Sequence, residues 1–476
     1  MPNKYDVIVV GMGPSSIFCA YELIKLNKFK KVLLIDQGKR VEERYCPIEK
    51  TKKCIHCKPM CNITNGFSGA GAFSDGKLSL YNPEDDEIHV GGNIHKIIGV
   101  PETKSLIDYT DKIYLDFGAD KHLEGTEYKE EIARINDRAH KEGIKLINIP
   151  IRHLGTEKSH EVYGRLEKYI EDNGVEMMFQ TTVADLIVEN GEIKGVRVKE
   201  AKYVDDEDHE TQEILADKVV LAVGRKGANW LVDMANKHNI ATETGIVDIG
   251  VRYELPDEIM KDVNKYMYEA KFTGRVGPFR DKVRTFCQNP SGFVSAEVYD
   301  NNLTLVNGHS YKERKSTNTN LAILVSHHFT SPFKRPIEYG RNVAQNLNDL
   351  GAGNIVVQRL GDIYRGKRTW DYELERNTVV PTLKSAVAGD ITFALGYRTM
   401  VSILEFIRAI DKIVEGFGAP DNLLYAPEIK FYSNKVVIDK QFETNIKGLY
   451  SIGDGGGMTR GLMMASCSGI QMARNL

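Results

Sequence analysis

Seven cysteines in 476 residues are too few for a disulfide framework, and four of them are bunched at positions 46, 54, 57 and 61. That usage favours a reducing compartment. Charge of one sign is also scarce. The 63 basic and 66 acidic residues leave a net charge of −3, which gives no general reason to expect nucleic acid or an anionic membrane as partner. No apolar run approaches the ~20 residues of a membrane helix. No membrane span is expected, and Met1-Pro2-Asn3-Lys4 leads directly into an apolar strand, so the chain reads as soluble and cytoplasmic. Internal repeats and low-complexity linkers are lacking too. A second nucleotide-binding unit is absent, since Gly351-Ala352-Gly353 has no flanking strand-turn-helix pattern. Any NADH or NADPH acting as electron donor must bind without a Rossmann domain of its own.

The hydrophobic content of 42% suffices for a sizeable core, and the length suits two or three domains. At the N-terminus, Tyr5 to Val10 reads as a buried parallel strand, followed by Gly11-Met12-Gly13-Pro14-Ser15-Ser16 and a helix through about Lys28. Gly11 allows the tight turn, and Gly13 has no side chain to keep a pyrophosphate from the amides at the positive end of the helix. Ser16 stands in place of the usual third glycine and is small enough for close packing of helix and strand. A second strand, Val32 to Ile35, delivers Asp36 and then Gln37, where a carboxylate can accept from an adenosine ribose.

The C-terminus decides between NAD and FAD. Leu449 to Ile452 reads as a strand ending at Gly453-Asp454, which places a carboxylate for ribityl hydroxyls. Met458-Thr459-Arg460-Gly461-Leu462-Met463-Met464-Ala465 reads as a helix start, whose free amides and Arg460 suit negative charge on a reduced flavin.

Four blocks then carry a resemblance: Gly69-Ala70-Gly71-Ala72-Phe73-Ser74-Asp75-Gly76-Lys77, Ile249-Gly250-Val251-Arg252-Tyr253-Glu254, Val306-Asn307-Gly308-His309-Ser310-Tyr311 and Gly453 to Gly461. With the glycine fingerprint, the chain resembles the glutathione-reductase-type, single-dinucleotide-fold flavoproteins. Within them it is similar to the bacterial and archaeal "FAD-dependent dehydrogenase" family. Thr285 to Gly292 departs from that family's Cys-x-Cys-Pro-Gly-Gly stretch and keeps only Cys287. The resemblance puts Gly69, Ala70 and Gly71 against the isoalloxazine ring. It adds Val183 and Gly224 to the candidate cofactor contacts, with Lys77 and Arg460 as the cations nearest the flavin.

The expected fold class is α/β: a Rossmann-like FAD-binding domain with a three-stranded β excursion, plus an interleaved α+β substrate domain. Amphipathic helices are expected at about Tyr128 to Lys141 and Glu161 to Asp172. A strand from Val175 to Gln180 leads into the excursion, Val183 to Glu189, the Asn190-Gly191 hairpin signal, Glu192 to Tyr203, an acidic solvated tip, and a return through Ala216 to Gly224. The FAD-binding domain is expected at 1–80, 160–245 and 421–476, and the substrate or cap domain at 81–159 and 246–420. A helix from Thr399 to Val414 should lie against the sheet of the latter.

The cysteine loop supports three readings. Cys57 and Cys61 suit a redox dithiol. Cys46, Cys54, Cys57 and Cys61 suit a metal or iron–sulfur cluster. The third reading is reduced thiols without chemistry. Cys19 and Cys467 read as core, His309 as a turn residue with either a structural or exposed role or that of a proton donor, and His327-His328 as core or edge packing. The leading expectation is an FAD-dependent oxidoreductase passing a hydride or electron pair to or from a small organic substrate in the interdomain cleft, with Lys77, Cys57, Cys61 and Cys287 as catalytic candidates. One alternative is an electron-transfer component relaying electrons through the cysteine cluster to a redox protein partner. Another is an RNA-modifying or redox-sensing flavoprotein.

Overall fold

The computed structural model describes residues 4–47, 55, 57–74, 76–83, 85–243, 246–267, 269–298, 303–311, 314–329, 332–333, 335–431 and 435–476. They divide into two compact units, the first comprising residues 1–123, 150–243 and 433–476 and the second 124–149 and 244–432.

The first unit is built on a seven-stranded sheet. Lys4–Val10 lies at its centre, parallel to Val32–Ile35 on one side and to Gln212–Leu221 on the other. Glu176–Met178 extends the first edge, and Leu449–Ser451 adds to Gln212–Leu221, both in parallel. Val7–Val10, Val32–Ile35, Val219–Leu221 and Leu449–Ser451 are buried and mostly apolar, as parallel strands covered on both faces are. The excursion continues from the same sheet: Thr181–Glu189 pairs antiparallel with Glu192–Glu200, which returns along Gln212–Leu221. Asn190 and Gly191 both have positive φ, 52° and 76°, as the two-residue turn of a right-twisted hairpin requires.

Helices Pro14–Leu26 and Leu462–Asn475 pack against each other. A Cβ on Gly469 would fall 2.0 Å from Ser15 O, so a side chain there would force the helices apart. Residues 81–123, expected in the substrate domain, pack in this first unit instead. Helix Val100–Asp116 supplies the reason, because Tyr114 is fully buried and its hydroxyl meets Tyr163 Oη at 2.9 Å and Ser466 Oγ at 2.8 Å. Residues 150–159 join the same unit through Ile151–His153, which pairs with Lys77–Ser79.

The second unit is organised by an eight-stranded, mostly antiparallel sheet whose central strands are Leu423–Phe431, Val247–Pro256, Asn318–His327 and Val283–Asn289. Leu423–Phe431 therefore belongs here, not with the C-terminal segment of the first unit as the expected boundary at 421 would have it. Helix Tyr397–Asp411 lies on this sheet and buries Met400, Ile403, Ile407 and Ile410. Its apolar stripe at i, i+3, i+7 and i+10 was legible in the sequence. Inside the sheet, Arg252 and Glu428 are both fully buried and form a two-pronged ion pair at 2.7 Å. Arg252 also donates to Cys287 O and Asn307 Oδ1. Two blocks far apart in sequence, 249–254 and 306–311, thus meet around one buried guanidinium.

Candidate cofactor site

The turn after the first strand is dictated by Gly11. Its φ is +97°, and a Cβ there would stand 2.9 Å from Ala222 O, so only glycine lets the turn pass that carbonyl. Ser16 donates its hydroxyl to Gly11 O and closes the same turn. Gly13 precedes the helix in extended conformation, and a Cβ there would meet nothing within 4 Å. The first intrahelical amide bond runs from Ile17 to Gly13 O at 3.0 Å. The amides of Ser15 and Ser16 lie ahead of it, with Pro14 at the helix start carrying no N–H. An open, side-chain-free approach to a positive helix end is what a pyrophosphate needs.

Other glycine segments gather at the same place. A Cβ on Gly69 would lie 3.7 Å from Gly13 Cα, and Ser68 N donates to Met12 O at 2.7 Å. From the C-terminal end, a Cβ on Gly453 would fall 2.7 Å from Ser15 Oγ, and Gly455 N donates to Val223 O at 2.9 Å. Gly224 and Gly461 each leave the space beside their Cα empty to 4 Å. Both ends of the chain and the 66–71 loop therefore converge within one unit.

Asp36 is more committed than the sequence suggests. Its carboxylate accepts from the amides of Met12 at 2.9 Å, Gly38 at 2.7 Å and Gly66 at 2.8 Å, so it ties three loops together. A carboxylate has about four acceptor sites, which leaves one for a ribose hydroxyl. Burial pushes its pKa above the ordinary value, against those amides and the nearby Arg44. Gln37 is spent on Asn65 Oδ1 at 2.6 Å. Val183 is buried in the core of the excursion. Gly71 faces the Tyr163 ring, which a Cβ would approach to 3.0 Å, and Ala70 stands just before it on the loop.

Asp454 accepts from Thr459 Oγ1 at 2.7 Å and from the Gly461 amide. Burial raises its pKa, with Arg225 and Arg460 opposing. The expected helix start at 458 is corrected here: the helix is Leu462–Asn475, and Gly461 before it has φ +68°. A left-handed residue cannot continue a helix, so 458–460 pair with another segment instead. Gly92 bridges Thr459, Arg460 N donates to Gly91 O at 3.2 Å, and Asn93 N donates to Met458 O at 2.9 Å.

Two parts of this site escaped the sequence reading. Val90-Gly91-Gly92-Asn93 is one, and its glycine pair was the available signal. Arg44 is the other. It is 3% exposed, and it donates to Asn62 O, Ile63 O, Phe67 O, Ser68 Oγ and Gly69 O. It thereby holds the loop that reaches Gly13. Burial lowers its pKa to about 10, so it stays charged at neutral pH. Nothing in its sequence context distinguishes it from a surface arginine.

The catalytic candidates are scattered. Lys77 is half-buried on the short strand paired with Ile151–His153. Cys46 and Cys57 are half-buried, Cys61 is exposed, and all are free thiols. Among the described residues they form no group with ligand atoms close enough for a metal, and Cys54 lies outside those residues. Cys287 is exposed in the second unit at a bulge in Val283–Asn289. Cys19 and Cys467 are fully buried, and burial pushes both thiols up to about 12. His309 is an exposed strand residue bonded to Ser295 Oγ, not a turn residue. His327 is half-buried at a strand end against Thr399 Oγ1 at 3.1 Å, a place at the edge and not in the core, and His328 is exposed.

Residues 148–247 match the family described as FAD binding domain, and residues 247–430 match the FAD-dependent protein, C-terminal domain-like family. Both matches are to FAD-associated domains, so the chain is a flavoprotein that binds FAD. An uncharacterized protein of Clostridium beijerinckii (strain ATCC 51743 / NCIMB 8052) is 24% identical to this flavoprotein over 99% of its chain and 81% of the relative. Among solved structures, a quinol-fumarate reductase with menaquinol molecules is 12% identical, covering 100% of this chain and 71% of that one, with a TM-score of 0.43. The L-proline dehydrogenase from P. horikoshii is 12% identical, covering 100% and 93%, with a TM-score of 0.39. Among the described residues, no helix is long and apolar enough to cross a membrane.

Proposed function

We propose that this flavoprotein moves a hydride or an electron pair between FAD and a small organic substrate. The observation that carries the reading is the meeting of Gly13, Gly69 and Gly453 at the start of one helix, with Gly69 and Gly453 packed close to its first residues and open space where a side chain on Gly13 would stand. When bound, FAD supplies reversible two-electron chemistry.

The chain's own residues supply position and charge. The Ser15 and Ser16 amides would hold the pyrophosphate, and the remaining acceptor site of Asp36 would take a ribose hydroxyl. Asp454, partly committed to Thr459 and Gly461, would take ribityl hydroxyls. The first-turn amides of Leu462–Asn475 and the Arg460 guanidinium would stabilise negative charge on the flavin pyrimidine. Lys77 is the candidate for orienting an anionic substrate. Five parallel strands with an antiparallel excursion on the same sheet support the finer reading of a glutathione-reductase-type, single-dinucleotide fold akin to the FAD-dependent dehydrogenases.

The test is anaerobic. Purified holoprotein is mixed with NADH or NADPH, flavin bleaching is followed, and organic acceptors are screened for re-oxidation. Bleaching by one nucleotide and turnover with an acceptor are expected. If neither nucleotide bleaches the flavin, direct nicotinamide-linked reduction is refuted.

A further inference from the structure

Within the first unit, the segment leading to Gly91-Gly92 carries side chains that the flavin reading does not use. Asp85, Glu87 and His89 alternate along the chain, and one ligand atom from each lies within 4.8 Å of the other two. His89 Nε2 stands 3.0 Å from Asp85 Oδ2 and 3.4 Å from Glu87 Oε2. A cation held by tetrahedral donors at about 2.0–2.2 Å imposes ligand-to-ligand separations of roughly this size. A separate observation points to the same place: Nδ1 of His95 is buried with no hydrogen-bond partner. Glu87 and His89 both act electrostatically on that ring, which places it near the cluster.

We propose that Asp85, Glu87 and His89 bind a divalent transition-metal ion of the zinc class, with His95 beside it as a further imidazole. The donor set selects the class. Magnesium and calcium require six or more oxygen donors, whereas imidazole with carboxylates suits zinc and its neighbours. The ligands are reachable from solvent, since the side chains of Asp85, Glu87 and His89 are 23%, 70% and 17% exposed.

The site has a mechanical connection to the flavin-facing loop. Two residues after His89, Gly91 O accepts from Arg460 N, Gly92 bridges Thr459, and Asn93 N donates to Met458 O. An ion that pins His89 also pins one side of this ladder. Metal occupancy would thus stiffen the segment that carries Arg460.

The experiment uses the FAD-loaded chain stripped with a chelator and titrated calorimetrically with zinc sulfate. One ion should bind, and His89→Ala and Glu87→Gln should each weaken it at least tenfold while leaving the flavin absorbance unchanged. Glu87→Gln guards against misfolding, because its side chain is largely in water. Cobalt loading should give no thiolate-to-metal charge-transfer band, which separates this site from the cysteine loop. Hydrogen exchange at 458–460 should slow with zinc in the wild type and not in His89→Ala. Absence of zinc binding, binding equal in wild type and both variants, or a thiolate band would overturn the proposal. The readout is the metal itself, so it stands or fails independently of the flavin's reaction.

Discussion

Substituting Gly13 and Gly11 by alanine separates binding from folding within two residues of each other. Gly13 has φ −76° and ψ 179°, a conformation open to any residue, and its Cβ would meet nothing within 4 Å. Alanine there reduces the entropy of the unfolded chain, worth about 0.4–1 kcal/mol, and is a poorer helix N-cap than glycine by a similar amount. The apoprotein of Gly13→Ala should therefore unfold within about 1 kcal/mol of wild type. Its methyl group nevertheless occupies the space that a pyrophosphate must enter, so FAD affinity should fall at least tenfold, or about 1.4 kcal/mol. Gly11→Ala behaves in the opposite way. Its φ of +97° and the 2.9 Å approach to Ala222 O put strain of about 1–3 kcal/mol into the folded apoprotein. The assay is urea unfolding of both flavin-free variants, followed by FAD titration monitored by quenching of flavin fluorescence. Comparing apoproteins matters because bound ligand stabilises by mass action and would mix the two effects. Should Gly13→Ala bind FAD like wild type, or unfold as easily as Gly11→Ala, the cradle reasoning is wrong.

Arg44→Met removes a 3% exposed guanidinium from four carbonyls and one hydroxyl. A loss of about 3–5 kcal/mol is expected once the loop relaxes, and denaturant unfolding with flavin retention measures it. Arg252→Met leaves Glu428 fully buried, with Lys430 Nζ at 3.2 Å as its remaining cation among the described residues. The cost should be about 3–5 kcal/mol, and Arg252→Met with Glu428→Gln should recover much of it; chemical denaturation of the single and double variants decides. Asp281 pairs with Arg398 at 2.6 Å, which holds its carboxyl below the usual range. A depressed carboxyl contributes stability that is complete above the unfolded pKa of about 3.9 and is lost as pH falls through the folded value. Asp281→Asn should therefore flatten the stability curve below about pH 4, and an unchanged acid limb would contradict this.

Much of the fold was legible where its signals are local. The apolar strand before Gly11, the Asn190-Gly191 turn and the stripe at 400, 403, 407 and 410 each report a backbone conformation set by neighbours a few residues away. Boundaries that depend on distant partners were misread. Val100–Asp116 has polar and apolar residues that suit either unit, and partners far along the chain, among them Glu22, Tyr163, Ser466 and Cys467, assign it to the first. The helix expected from Met458 fails for a similar reason. Gly461 marks its break, yet the partner that takes up Met458 to Arg460 is Gly91 to Asn93.

The candidate site shows the same division. From the chain alone came the residue types that make a dinucleotide cradle: glycines for close approach, a carboxylate after the second strand, and a Gly-Asp turn near the end. These follow from steric and hydrogen-bonding rules that act over one turn or one strand. Folding decided how each group is used. It drew the Asp36 carboxylate into three amide bonds, buried Arg44 beneath the 62–69 loop, and, among the described residues, brought Cys46, Cys57 and Cys61 into no common group. Such outcomes depend on which distant backbone groups need partners once water is excluded, and that accounting is closed only when the whole unit packs.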